Sequence, residues 1–252
     1  MLHRYLPLGL LLPLLACTSV PQPEEQRAGV VGSNAWTLSP VQPGPTRVAV
    51  AQWQHYRFPG KPATAFSYTD RDGRNAMEAH ADSSASMLRQ LVHIAPAELS
   101  RIQFSWKVPE LIAQADLARR DGDDSPVRVV LAFDGDRSRF STKNALLSEL
   151  SHAITGEPLP YATLMYVWCN TRKPGSVVIN PRTDRIRELV VESGARNLDQ
   201  WMDYERDIRA DFVHAFGEQP GALVGIGIMT DSDNTQSSAR AWYGPLRLTA
   251  AR

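Results

Sequence analysis

The feature that most constrains the fold is a series of short segments rich in β-branched and aromatic residues, each bounded by turn-forming residues. Asp-Gly at 72–73 and Pro-Gly at 174–175 and 220–221 supply typical turns between them. Many short strands separated by such turns indicate an antiparallel sandwich rather than the regular strand–helix alternation of a parallel sheet. The predicted strands are 47–53, 64–69, 75–81, 86–94, 101–108, 127–134, 164–170, 176–180, 185–193, 223–230 and 239–249.

Helical periodicity is confined to three stretches, residues 111–119, 141–154 and 207–216. The second places Leu146, Leu147, Leu150 and Ile154 on one side, and the third brings Ile208, Phe212 and Phe216 together before a helix-ending Gly217. Trp201, Glu205, Asp207 and Asp211 are assigned to a helix start and a solvated face. The sequence therefore predicts a mainly β, jelly-roll-like antiparallel sandwich with two or three short peripheral helices.

The N-terminus has the layout of a bacterial lipoprotein signal. A short basic region at 1–4 precedes an apolar run at 5–15, and Ala16 then precedes Cys17. The apolar run is too short to cross a bilayer core of about 30 Å as a helix. Cleavage after residue 16 would leave Cys17 to be acylated, so the predicted partner is a membrane reached through that lipid. An ordinary secretory signal that contains a cysteine is the alternative.

The residue after the cysteine bears on localisation. Thr18 stands where an inner-membrane lipoprotein would carry Asp, so the resemblance to Gram-negative lipoproteins favours the outer membrane, facing the periplasm. Residues 17–45, which contain five prolines, are predicted to be a lipid-anchored tether and lead-in. Residues 46–252 are predicted to form one domain, in which Cys169 lies in an apolar strand and is expected to be buried.

Charge and cysteine content exclude several classes of protein. The chain has 27 basic and 27 acidic residues and no Lys/Arg-rich run, which argues against nucleic acid as a partner. Two cysteines are too few for a disulfide scaffold and lack the spacing of a zinc site. The motifs GxSxG, HExxH and GxxxxGK[ST] do not occur, and no cofactor is predicted.

Six motifs follow one another in the chain: AHADSSASML at 79–88, FSWKV at 104–108, GDDSPVRVV at 122–130, YVW at 166–168, DIRADF at 207–212 and IGIMTDSDNT at 226–235. In this order they resemble those of one bacterial family, the domain of unknown function 3047. That resemblance implies a secreted or envelope-anchored protein and brings no established activity or catalytic residue. The later strands are also similar in layout to galactose-binding-type jelly rolls, a likeness of fold only.

Side-chain alternation along the strands suggests where a ligand could bind. In 164–170, Tyr166, Trp168 and Asn170 share one face, and the opposite face of that strand is predicted to be core. Arg128 and Asp134 belong to the more polar face of their strand. Asp231 shares a face with two glycines, at 225 and 227, which mark close approach of a ligand or another backbone.

If these strands adjoin, their polar faces line one concave surface that contains the predicted ligand-binding residues. Aromatic rings beside hydrogen-bonding side chains suit a saccharide, so a possible glycan ligand is the first hypothesis. Burial of Tyr166 and Trp168 in the core is the structural alternative. The predicted binding residues are Tyr166, Trp168, Asn170, Arg128, Asp134 and Asp231.

Two other functions stay open. One is an assembly or scaffold lipoprotein that binds an unknown protein partner through an exposed apolar patch. The other is a glycan hydrolase, which needs two carboxylates about 5 to 9.5 Å apart, with Asp134 and Asp231 as the candidate pair. No catalytic residue is assigned.

Residues 231–235, Asp-Ser-Asp-Asn-Thr, carry closely spaced oxygen ligands of the kind that calcium requires. An EF-hand starting at Asp231 is excluded, because Gln236 and Trp242 stand where the loop needs Gly and Glu. A calcium site of another type and a loop closed by Asx-type turns both stay open.

Overall fold

In the computed structural model, which describes residues 53–249, thirteen strands form two sheets. The first sheet contains, in spatial order, β1 (Gln54–Arg57), β4 (Ala85–Ile94), β11 (Leu223–Asp231), β6 (Ser125–Phe133), β7 (Ala162–Cys169), β9 (Ile186–Ser193) and β8 (Val177–Ile179). The second contains β10 (Trp201–Asp207), β5 (Arg101–Lys107), β12 (Ser238–Tyr243), β3 (Arg74–Asp82) and β2 (Ala65–Arg71), with β13 (Arg247–Thr249) beside β5. The predicted sandwich is confirmed, with one parallel pair, β7 with β9, among antiparallel ones.

The core lies between the two sheets. Alternate residues of each strand point inward, as the pleat requires. Val129 and Leu131 of the seven-stranded sheet and Phe104 and Trp106 of the six-stranded sheet are buried in one apolar cluster. We call the side of each sheet that faces this cluster its inner face and the opposite side its outer face.

Two α-helices accompany the sheets in the described part of the chain. α1 (Thr142–Thr155) connects β6 to β7, and α2 (Ile208–Phe216) follows β10, so two of the three predicted helices are confirmed. Asp207 caps α2 by accepting from Ala210 N, and Gly217 ends it with φ of 68°. The helices within residues 53–249 are all too short or too polar to span a membrane.

Two local predictions are wrong. Residues 111–119 form turns instead of a helix, because the segment folds back on itself and Asp116 N donates to Gly122 O over 2.7 Å. Trp201 and Glu205, assigned to the helix start and solvated face, lie in edge strand β10 paired with β5, and Asp211 is buried, whereas Asp207 does start α2. The predicted signal at 1–16, Cys17, the tether at 17–45 and all but the last residue of strand 47–53 lie outside the described residues.

Candidate functional site

The predicted aromatic platform on β7 is part of the core. Pairing of β6 with β7 places Val129 opposite Tyr166, and Val129 points inward. Tyr166 is 0% exposed and Trp168 is 1% exposed. Both side chains therefore lie between the sheets, where a saccharide cannot reach them, and their assignment to a ligand site is wrong.

The prediction reversed the inner and outer faces of β7, because side chains on both faces of this strand are buried. On the outer face, Val167 and Cys169 pack with Leu117 and with Val178 and Val190 of the neighbouring strands. Alternation separates two faces but does not say which is inside when both are apolar. The predicted burial of Cys169 is confirmed, although it belongs to this smaller cluster.

The polar side-chain atoms of Tyr166, Trp168 and Asn170 form hydrogen bonds within the domain. Tyr166 Oη donates to Asp211 Oδ2 over 3.0 Å, and burial together with Asp211 holds the pKa of Tyr166 above its ordinary value. Trp168 Nε1 donates to Gly194 O over 3.0 Å. Asn170 Nδ2 donates to Ile112 O over 2.8 Å, which fastens the segment after β5. These groups are thus already occupied within the domain.

Arg128 and Asp231 do come together, as predicted, but as a buried ion pair. Arg128 Nε donates to Asp231 Oδ1 over 2.9 Å, Nη1 to Glu188 Oε1 over 2.6 Å, and Nη2 to Asp123 Oδ1 over 3.0 Å. All four side chains are at most 7% exposed. We call Arg128, Asp123, Glu188 and Asp231 the buried charge network; it is closed to a ligand, so the assignment of Arg128 and Asp231 to an open binding surface is wrong.

Burial dominates the electrostatics of this network. It raises the pKa of Glu188 to about 8 and that of Asp231 to about 6, because the loss of water disfavours the carboxylates more than Arg128 favours them. Glu188 Oε2 accepts no hydrogen bond from the described residues. A second guanidinium lies at the edge of the network, because Arg182 Nη1 is 2.8 Å from Asp123 Oδ2.

Asp134 lies far from the other predicted residues. It is exposed just beyond the C-terminal end of β6, whereas Asp231 pairs with Ser125 at the opposite end of that strand. The length of β6 separates them, about 27 Å at about 3.4 Å per residue. Asp134 therefore joins no shared surface with Asp231, and the two cannot form the carboxylate pair of a glycosidase.

The acidic loop after β11 is held by side chains of other segments. Carboxylate oxygens of Asp124, Asp231 and Asp233 lie within 4.8 Å of one another. Asp124 accepts from the backbone N–H groups of Asn234 and Thr235 over 3.1 and 2.7 Å, and Asp233 is paired with the Lys61 ammonium. Donors already occupy oxygens of all three carboxylates, and Asx-type turns and calcium binding here both stay predictions.

The outer face of the six-stranded sheet carries a groove that the sequence did not predict. Its volume is about 560 Å³, and it is open to solvent. Pairing of β5 with β10 sets Gln103 opposite Glu205 and Ser105 opposite Asp203, so four polar side chains project from two strands. The lining residues are Arg74, Asn75, Gln103, Phe104, Ser105, Asp203, Tyr204, Glu205, Gly244, Pro245 and Arg247.

Gly244 gives the groove its depth. A Cβ at this position would lie 2.0 Å from Ser105 Oγ, so any larger residue would displace that side chain. Gly244 N also donates to Ser105 O over 2.9 Å, which holds the segment after β12 close to β5. The glycine thus leaves a depression where neighbouring strands would otherwise carry side chains.

Charged groups in the groove are arranged in pairs. Arg74 Nη1 lies 2.8 Å from Asp203 Oδ1. Gln103 Nε2 donates to Glu205 Oε2 over 2.7 Å, and Arg101 pairs with the same carboxylate. Gln103 and Arg101 hold the pKa of Glu205 below its ordinary value. Glu205 is therefore an ionised hydrogen-bond acceptor at neutral pH.

Aromatic rings lie beside the groove. Trp201, Lys107 and Trp242 stand side by side on neighbouring strands, with the Arg74 guanidinium 5.1 Å from the Trp201 ring. Trp242 is 5% exposed beneath Arg71, whereas Trp201 is half-buried. Trp201 thus lies beside the groove, next to its lining residue Arg74. The alternation of 201–207, with Met202 and Tyr204 inside, is the sequence signal that could have located this face.

The sequence matches the profile of one family, described as a protein of unknown function (DUF3047), over residues 51–247. It matches no curated protein. The match spans most of the chain and includes twelve of the thirteen described strands in full, β1 to β12.

Solved structures similar in fold include modules and enzymes with jelly-roll sandwiches. A family 11 carbohydrate-binding module of a cellulosomal cellulase from Clostridium thermocellum is 11% identical, with 81% of this chain and 90% of that chain covered and a TM-score of 0.39. The xyloglucanase domain of a type three effector from Sinorhizobium fredii is 10% identical, with 79% and 93% covered and a TM-score of 0.39. Endoglucanase 3 of family GH12 from Trichoderma harzianum is 9% identical, with 81% and 99% covered and a TM-score of 0.39.

Proposed function

We propose that this chain, which belongs to the DUF3047 family of proteins of unknown function, binds a saccharide in the groove on the outer face of the six-stranded sheet. The observation that carries the proposal is a groove of about 560 Å³ that is lined by planar hydrogen-bonding side chains and has the half-buried Trp201 beside its lining residue Arg74. Sites for small ligands usually have volumes of about 300 to 1,000 Å³ and a few placed polar groups.

The side chains of the groove match the chemistry of a sugar. Hydroxyl groups both donate and accept, so they pair well with amides and with ion-paired carboxylates and guanidinium groups. Asn75 and Gln103 offer amides, and Asp203 and Glu205 offer acceptors already oriented by arginines. The face of Trp201 supports stacking against the C–H face of a pyranose ring. The exposed Arg247 adds a site that favours a carboxylate-bearing sugar.

The groove supports binding better than hydrolysis. A glycosidase requires one carboxyl group whose raised pKa keeps it protonated as the general acid. In the groove, the pKa of Glu205 is lowered and Asp203 is ion-paired with Arg74. The raised carboxyl pKa values belong to Glu188 and Asp231, which are buried in the other sheet.

We further propose that the protein acts at the cell envelope as a lipoprotein anchored through Cys17, in the outer membrane facing the periplasm. The basic, apolar and small-residue pattern of residues 1–17 supports this placement. Mass spectrometry of protein purified from membranes tests it: a diacylglyceryl group on Cys17 is expected, and an unmodified chain starting elsewhere would contradict it.

Thermal unfolding against a glycan panel tests the binding proposal. The panel contains neutral β-glucan oligosaccharides, uronic acid oligosaccharides and peptidoglycan fragments. A ligand at about 100 times its Kd stabilises by about 2.7 kcal/mol, which raises Tm by roughly 5 to 10 °C. No rise with any member would contradict the proposal.

Variants of residues in the groove test whether a glycan that raises Tm binds there. Gln103→Ala removes an amide from the groove, and Gln114→Ala is the matched control, since Gln114 is exposed in the segment after β5 and does not line the groove. We expect Gln103→Ala and Asn75→Ala each to weaken binding about tenfold or more and Gln114→Ala to leave it unchanged. Equal affinities in all three variants would place the ligand elsewhere.

A further inference from the structure

Helix α1 presents its apolar side to solvent. Leu146 is 69% exposed, Leu150 is 53% exposed and Ile154 is 59% exposed. Their i, i+4, i+8 spacing places them on one stripe of the helix, which we call the α1 stripe. A surface helix normally turns such a stripe toward the core, so the orientation of α1 is the reverse of the usual one.

Hydrogen bonds on the polar side of α1 fix this orientation. Asn144 is buried; its Nδ2 donates to Asp184 Oδ1 over 2.6 Å, and its Oδ1 accepts from Thr183 Oγ1 over 2.8 Å. Ser148 is also buried and accepts from Arg137 Nη1 over 3.1 Å. Rotating the helix to bury the α1 stripe would break these bonds and leave their partners unpaired. The helix is therefore held with its apolar side outward.

We propose that the α1 stripe docks on the surface of the lipid bilayer to which the chain is anchored. The inference goes beyond saccharide binding, and it rests on the part of the proposed function that attaches Cys17 to a membrane. The helix would lie along the bilayer surface, with its three aliphatic side chains among the upper acyl chains. With 14 residues, it covers about 21 Å of that surface.

The composition of the α1 stripe favours lipid over a protein. Protein interfaces draw most of their binding energy from Trp, Tyr and Arg, and the stripe consists only of Leu and Ile. A second copy of the chain is also disfavoured by area, because a stable interface buries about 800 Å² on each partner and three aliphatic side chains supply well under half of that. Insertion of aliphatic side chains into a bilayer requires neither directional hydrogen-bond partners nor a minimum buried area.

The position of Cys17 in the sequence supports the lipid bilayer as the surface that the α1 stripe contacts. About 35 residues separate Cys17 from Trp53, the first described residue, and such a length reaches at most about 120 Å. Full burial of one Leu or Ile changes an equilibrium by about tenfold to a hundredfold, so three partly immersed side chains bind weakly on their own. Attachment converts docking into an intramolecular step at an effective concentration near millimolar, which makes weak docking sufficient.

Docking through α1 has a consequence for the groove. α1 contacts residues that join β8 to β9 in the seven-stranded sheet, whereas the groove lies on the outer face of the other sheet. The α1 stripe and the groove therefore share no residue, and docking through the stripe uses none of the side chains proposed to bind a glycan.

Hydrogen–deuterium exchange on vesicles tests the proposal without depending on natural lipidation. The full chain is attached to phosphatidylethanolamine–phosphatidylglycerol vesicles through a maleimide lipid that reacts at Cys17, since Cys169 is buried. The test variant carries Leu146→Gln, Leu150→Gln and Ile154→Gln, because Gln matches Leu in helix propensity. The control variant carries Lys143→Gln, Glu149→Gln and His152→Gln on the same helix.

We expect deuterium uptake in residues 142–155 to slow at least threefold on attachment in the wild type and the control, and to stay unchanged in the test variant. The slowing should persist in 0.5 M NaCl, because the stripe is uncharged. Equal uptake with and without attachment in the wild type would overturn the proposal. Protection that rises with protein concentration in the absence of vesicles would overturn it in favour of self-association. Glycan affinity, measured separately, reports on the groove alone.

Discussion

Arg128 Nη1 donates to Glu188 Oε1 over 2.6 Å, and both side chains are buried on the outer side of the seven-stranded sheet. Asp123 and Asp231 bind the remaining nitrogens of the same guanidinium. The arrangement ties β6 to β9 and β11 through a single side chain. Removing that side chain leaves three carboxylates without their common cation, which is costly in a region shielded from water.

We therefore expect Arg128→Met to lower the free energy of unfolding by about 3 to 5 kcal/mol. Arg119→Met is the control, because the Arg119–Asp121 pair is exposed and its loss should leave the urea midpoint unchanged. Urea unfolding followed by tryptophan fluorescence measures both. Equal midpoints for the two variants would show that the buried charge network does not stabilise the fold.

The same network should make stability depend on pH. The pKa of Glu188 is raised from 4.5 to about 8 by burial. A carboxyl group whose pKa is higher in the folded state gives stability that is complete below the unfolded pKa and is lost as the pH rises through the folded pKa. The urea midpoint of the wild type should thus fall between pH 5 and pH 8.

The variant Glu188→Gln tests the origin of that fall, because the amide keeps the shape of the carboxyl group and does not titrate. Its urea midpoint should decline less over the same range, with the remaining decline due to Asp231, whose pKa is raised to about 6. Carboxylates with lowered pKa values, such as Glu157 and Glu218, act below pH 4.5 and do not obscure the comparison. Parallel pH profiles for wild type and variant would contradict the assignment.

Tyr166→Phe should lower the stability of the fold without changing the affinity for a glycan. It removes the hydrogen bond to Asp211 Oδ2, while Arg206 Nε continues to bind that oxygen over 2.9 Å. We expect a loss of about 1 to 3 kcal/mol in unfolding free energy and no change in glycan affinity. A loss of affinity at unchanged stability would restore Tyr166 to the binding site.

The two glycines of β11 should respond differently to alanine. A Cβ at Gly227 would lie 3.0 Å from the backbone oxygen of Leu88, whereas one at Gly225 meets Ala132 Cβ at an ordinary 3.5 Å. Gly227→Ala is expected to lower stability by about 1 to 3 kcal/mol, and Gly225→Ala to leave it nearly unchanged. Thermal unfolding of the two variants checks this, and equal effects would show that close strand approach does not require Gly227.

The sequence predicted the sandwich and both α-helices, since short alternating strands and capped apolar stripes are local signals. It also predicted that Arg128 and Asp231 would share a face, and the two side chains do meet, although the pairing of β11 with β6 shifts register between Met229 and Asp231. It reversed the inner and outer faces of β7, because both faces of that strand are buried. Tyr166 and Trp168 were therefore assigned to a ligand site, although they lie in the core.

The groove and the reversed helix depend on long-range placement. Gln103 and Glu205 are brought together only by the register of β5 with β10, and Gly244 deepens the groove only because it lies against Ser105. The apolar side of α1 was visible in the sequence, but its exposure follows from bonds that Asn144 and Ser148 make with distant residues. Sequence periodicity identifies such a stripe but does not show whether it faces the core or the solvent.

The most direct test of saccharide binding follows the side-chain amide signals of Asn75 and Gln103 by NMR during titration with the oligosaccharide that raises Tm most. We predict progressive shifts of these two amide signals and of the Trp201 indole signal, while the indole of Trp168 stays unchanged in the core. Shifts at Trp168 or around Arg128, with the signals of Asn75 and Gln103 unchanged, would contradict it.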